Sequence, residues 1–296
     1  MKHIFFFMAI VSIVNFSSAK SPYKAPEGFS FIPAGSITDN EVTFSCMSML
    51  MASHEVTNQE YRDFLADLKL QNRNEEYLAA LPDTSKWNLP GSSMQSFADY
   101  YFSHPAYDDY PVVNITSEGA LLYCQWLGEK LAVKYADERF KQMRLPLESE
   151  WIYAATAGHD RVVYSWGSSR LKNEKGDYMA NFKVIGDEFI RTNGNELEVV
   201  GDAYASYYLD NNFVTAPSSS YYPNSFELYN MCGNVSELVV KKSGEIEIQD
   251  SKTIFLAIGG NWNSTGYDIR INSVVEFLEA NPFTGFRPVV TWKIES

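Results

Sequence analysis

Apolar residues recur with a helical period in three places. After Thr57, residues Tyr61, Phe64, Leu65 and Leu68 fall at i, i+3, i+4 and i+7, on one face of a helix. Thr57 and Glu60 stand in capping-box order: a hydroxyl caps the first turn and a carboxylate three residues on reaches back. A second helix is predicted from about Thr116, with Glu118 in its first turn and Ala120, Tyr123, Cys124, Leu127 and Leu131 as its stripe. A third, shorter helix follows Pro146 in RLPLESEWIYAATAG. There Glu148 and Glu150 suit a positive helix N-terminus, and Gly158 suits the left-handed residue that ends it.

The remaining pattern is weaker. Short strands are predicted near residues 29–33, Ile254–Ile258 and residues 286–291. Long stretches such as LPDTSKWNLPGSSMQSFADYYFSHPAYDDYPVV show little period and are rich in aromatics, Asn, Gly and Pro. No repeat, low-complexity tract or flexible linker interrupts them, so one domain is expected over residues 20–296, of the α+β class. So few ladders need another source of order. Aromatic packing is one, since Phe, Trp and Tyr make up 15% of the chain. Bound calcium is another.

Residues 1–19 read as a signal peptide: a lysine, an apolar run too short to span a bilayer, then Ser17 and Ala19 at the −3 and −1 positions of a cut. No cysteine follows the cut, so no lipid anchor is expected there, and no later run reaches the ~18 apolar residues of a transmembrane helix. The protein is expected to be exported, to the periplasm or the outer face of the outer membrane. A net charge of −13 argues against nucleic acid and anionic membrane as partners. Three cysteines, Cys46, Cys124 and Cys232, cannot all pair in one chain and match no zinc spacing, so buried free thiols are expected. His104, Asp108 and Asp109 sit in an aromatic, Pro-containing loop and read as turn residues rather than an acid–base set.

Seven segments then carry a resemblance. In order they are HEVTNQEYRDF, YPVVNITSEGALLYCQWL, RLPLESEWIYAATAG, YSWG, TAPSSSYYPNSFELYNMCGNVSEL, GGNWNS and GFR. The chain resembles the formylglycine-generating, or sulfatase-modifying factor, family from about residue 28 to 290. This implies a fold related to C-type lectins, with structural calcium. LPDTSKW and YYFSHPAYDDYPVV are similar to the ring-forming lipoproteins of bacterial gliding motility and type IX secretion, whose acylated cysteine this chain lacks. Envelope or secretion-apparatus proteins are the partners this implies.

The resemblance places calcium on Asn230, Gly233, Val235 and Glu237. Side-chain and carbonyl oxygens around a glycine turn suit that ion, and a plain turn with a surface acid is the alternative. A second set falls on Asn181, Phe182, Asp210 and Asn212. In the family's active enzymes, two cysteines after the Gly-Gly turn bind copper and activate oxygen to oxidise a substrate cysteine. Here Ser264 and Ile269 occupy those positions. A hydroxyl is a poor ligand for a soft metal and an alkyl group is none, so no copper and no catalytic residue are expected. Asn261, Trp262, Ser264, Arg270 and Arg287 remain as candidate ligand-cleft residues. Leu147 stands where a capping hydroxyl is usual. Ser117 and Leu238 stand where tryptophans are common, which predicts a thinner aromatic core near the cleft. A non-catalytic envelope component is the expected function; a copper-dependent oxidase and a lectin-like binding protein are the alternatives.

Overall fold

A computed structural model describes residues 25–39, 42–89, 94–184, 190–193, 196–199, 214–241 and 253–292. The predicted signal peptide lies outside these residues. The chain begins with β1 (Phe29–Ile32), β2 (Gly35–Asp39), β3 (Val42–Cys46) and β4 (Met49–Ala52). Helices α1 (Asn58–Leu70), α2 (Asn74–Ala80), α3 (Gln95–Tyr100), α4 (Ser117–Tyr135) and α5 (Glu148–Ala155) follow. Seven strands close the order among the described residues: β5 (Ile190–Asn193), β6 (Glu196–Val199), β7 (Ser236–Lys241), β8 (Ile254–Ile258), β9 (Val274–Glu276), β10 (Thr284–Gly285) and β11 (Val289–Thr291).

Two sheets carry the core. One is antiparallel, in the order β1-β4-β11, and the other runs β10-β7-β8-β9 with a parallel β10–β7 pair. Of the strand expected over residues 286–291 only Val289–Thr291 forms, as β11, while Thr284–Gly285 just before that range joins the other sheet. Gly285 pairs with Glu237 in one sheet, and Val289 pairs with Met51 in the other. Pro288, which has no N–H to give a ladder, sits at the crossing. Backbone bonds from Val56 N to Phe286 O and from Ala52 N to Pro288 O, both 2.9 Å, fix the path between sheets.

The three expected helices form where expected. Thr57 Oγ1 accepts from Glu60 N at 3.2 Å, and Glu60 Oε2 accepts from Thr57 N at 2.8 Å, which completes the capping box. Tyr61, Phe64, Leu65 and Leu68 are buried in one cluster with Tyr123, Cys124, Trp126 and Leu131 of α4. In α5 the missing hydroxyl at Leu147 leaves half a box: Glu150 Oε2 accepts from Leu147 N at 2.9 Å, and the same carboxylate holds Arg144 at 2.7 and 2.8 Å. One boundary differs from expectation. The left-handed residue that ends α5 is Ala157 (φ 51°), with Gly158 (φ 75°) one place later. Ala157 N bonds to Ala154 O and Gly158 N to Tyr153 O, the paired bonds of a Schellman end.

Helices α2 and α3 gave no periodic signal because they bury little. In α2 only Ala80 is buried, and in α3 nothing is. Strand β7 was missed for the opposite reason: five of its six residues are buried, so alternation disappears. The expected thinning of the aromatic core is not found. Trp87 stacks on Trp262 at 6.2 Å between centroids, with Phe283 5.2 Å from Trp262, and the fully buried Leu238 packs in the cluster with Tyr61, Tyr123 and Phe286. All three cysteines are buried and free, as expected.

Helix α4 passes so close to the following turn that a Cβ on Gly128 would lie 2.4 Å from Phe140 O. Replacing Gly by Ala inside a helix normally gains about 1 kcal/mol of propensity. Here overpacking against a carbonyl reverses the sign. Gly128→Ala is expected to lower the urea midpoint, with a loss of about 1–3 kcal/mol.

Candidate functional site

The site begins at the crossing between the sheets. Arg287 is fully buried. Its Nε and one terminal nitrogen each donate to Glu237 at 2.6 Å, and its guanidinium also donates to Ala52 O at 3.1 Å and Tyr229 O at 2.7 Å. One cation thus ties the end of β4, the loop before β7 and β7 itself. Burial works against its charge; the Glu237 carboxylate outweighs that and holds its pKa above the ordinary arginine value. Arg287 is therefore a core residue, not part of a cleft.

A second buried acid lies beside this pair. Glu55 accepts from Asn230 Nδ2 at 3.1 Å and Asn234 Nδ2 at 3.0 Å. Burial pushes its pKa up to about 8, against the pull of Arg287, with Glu237 adding to the rise. Sequence reading passed over Glu55. The available signal was an acid directly before Val56 and the helix cap, where a surface acid has no reason to precede a buried residue. Asn234 was also missed: its side chain joins Glu55, Asn181, Ala216 N and Ala216 O.

This network bears on the expected calcium ligands. Both oxygens of Glu237 are engaged, by Arg287 and by Trp151 Nε1 at 2.8 Å. Asn230 turns its amide nitrogen toward Glu55 and the carbonyl of Ser218. Gly233 and Val235 lie in the same loop, and the bonds at Asn230 use its amide nitrogen rather than the oxygen a cation would take. Calcium on these four residues would have to share the Glu237 carboxylate with Arg287 and Trp151. In the second set, Asn181 Nδ2 donates to Val214 O at 2.7 Å, Phe182 is buried, and Asp210 and Asn212 lie outside the described residues.

The turn after β8 holds the remaining candidates. Gly260 adopts φ 68°, and a Cβ there would meet Asp268 O at 2.4 Å, so the turn folds tightly on itself. Asn261 Nδ2 donates to Ser236 Oγ at 3.1 Å, and Ser264 Oγ accepts from Asn261 N at 3.1 Å. Trp262 is covered by Trp87 and Phe283 and donates to Pro282 O at 3.0 Å. Arg270 lies 3.5 Å over the Tyr267 ring and donates to Tyr267 O. The five cleft candidates therefore separate: Arg287 and Trp262 are buried, while Asn261, Ser264 and Arg270 border the surface.

Ser264 is half-buried and Ile269 fully buried. The three thiols have other neighbours. Cys46 Sγ donates to Ser149 O at 3.6 Å, Cys232 Sγ accepts from Ser165 N at 3.4 Å, and Cys124 lies on α4 in the other core. Burial pushes the pKa of Cys46 up to about 11 and that of Cys232 up to about 12, so both stay protonated near neutrality. His104, Asp108 and Asp109 are turn residues as expected: His104 Nδ1 accepts from Ala106 N, Asp108 pairs with Arg62, and Asp109 O accepts from Ser218 N.

A domain with two core sheets and two short hairpins, five α-helices among the described residues and a polar network at its centre defines a scaffold class rather than a reaction. The profile of the Sulfatase-modifying factor enzyme 1-like domain family matches residues 18–292, and the chain belongs to that family. It is 30% identical over 129 residues to the formylglycine-generating enzyme of Bos taurus, covering 44% of this chain and 26% of that one. It is 28% identical over 163 residues to the formylglycine-generating enzyme of Thermomonospora curvata, covering 54% and 43%. It is 24% identical over 202 residues to the inactive C-alpha-formylglycine-generating enzyme 2 of Bos taurus, covering 62% and 56%. The chain thus spans well under two thirds of each of these relatives. The solved structure of CarF superposes with a TM-score of 0.56 at 16% identity, over 90% of this chain and 99% of that one. PvdO from Pseudomonas aeruginosa superposes at 0.55 and 20% identity, over 89% and 94%. These two share the fold.

Two outcomes follow. Arg287→Met leaves Glu237 buried without its cation and is expected to cost about 3–5 kcal/mol in urea unfolding. The engaged Glu237 predicts that chelation leaves the melting temperature unchanged. A rise on adding calcium would show the ion binding the folded state, with Glu237 released to it.

Proposed function

We propose that the protein is an exported, non-catalytic member of its family that serves as a structural or binding component of the bacterial cell envelope. The observation that carries this reading is the pair Ser264 and Ile269 at the family's two oxidase cysteine positions, the second fully buried. Oxidation of a substrate thiol by oxygen through copper needs soft ligands there, and this pair offers one hydroxyl and no second donor atom. A relative named as inactive shows that the scaffold also persists under that description.

The place in the envelope is the finer part of the proposal. Export rests on the signal-peptide pattern of residues 1–19; among the described residues no helix is long and apolar enough to cross a membrane. The segments similar to the gliding-motility and type IX secretion lipoproteins supply Trp87, Tyr101, Tyr107 and Tyr110, which cluster around Trp262. The resemblance to that branch thus coincides with the aromatic cluster around Trp262, and that resemblance is what supports partners in that apparatus.

The test is to incubate the purified protein with copper, oxygen and a cysteine-containing peptide and read the peptide by mass spectrometry. The expected result is no aldehyde above the protein-free control. Formation of aldehyde, lost in Ser264→Ala, would overturn the proposal.

A further inference from the structure

We draw no further inference here: the strongest candidate, the open groove lined by Tyr164, Arg170, Leu171, Lys172, Glu174 and Tyr178, carries nothing because its lining mixes both signs of charge with apolar side chains and nothing in the structure shows what covers it.

Discussion

The architecture depends on one buried cation. The chain leaves the sheet of β7 at Gly285 and enters the sheet of β4 at Val289, and Arg287 stands between them. A guanidinium suits this position because its planar fork meets Glu237 with two bonds and still has donors for Ala52 O and Tyr229 O. Lysine offers a point charge without that geometry. With few residues in ladders, relative placement of the two sheets falls to this junction and to aromatic packing on either side. Trp151 adds to the junction from α5 by donating to the same Glu237.

The same constraint decides what the neighbouring site can do. Glu237, which the family resemblance assigns to calcium, accepts from Arg287 and Trp151, and Asn230 donates its amide nitrogen to Glu55. Glu55, pushed toward its neutral form by burial, limits the negative charge that Arg287 would otherwise have to balance. One layer outward, the turn with Ser264 is held by Asn261 and Ser236, and Trp262 is sealed beneath Trp87. The inherited shape persists while the sulfur ligands are absent from their positions.

Much of this was legible in the chain, and the divisions have physical causes. Helices α1, α4 and α5 announced themselves because each buries a stripe and begins with a cap or an acid-rich turn. The Schellman end of α5 shifted by one place because alanine can adopt the left-handed region when two carbonyl bonds reward it. Strand β7 was hidden by burial on both faces, and α2 and α3 by burial on neither. The role of Arg287 was not readable. Gly285-Phe286-Arg287 carries no mark of a sheet crossing, and its partners Ala52, Tyr229 and Glu237 lie 50 or more positions away. Asn234 was missed for the same reason, as its bond to Glu55 is a long-range contact that no local spacing encodes.

The most direct measurement is a competition titration of Cu(I) against a chromophoric chelator under anaerobic conditions, on the wild type and on Ser264→Cys/Ile269→Cys. The account predicts that the wild type withdraws no metal at this turn, because its three thiols are buried and engaged elsewhere. Stoichiometric uptake by the wild type that disappears in Ser264→Ala would contradict it.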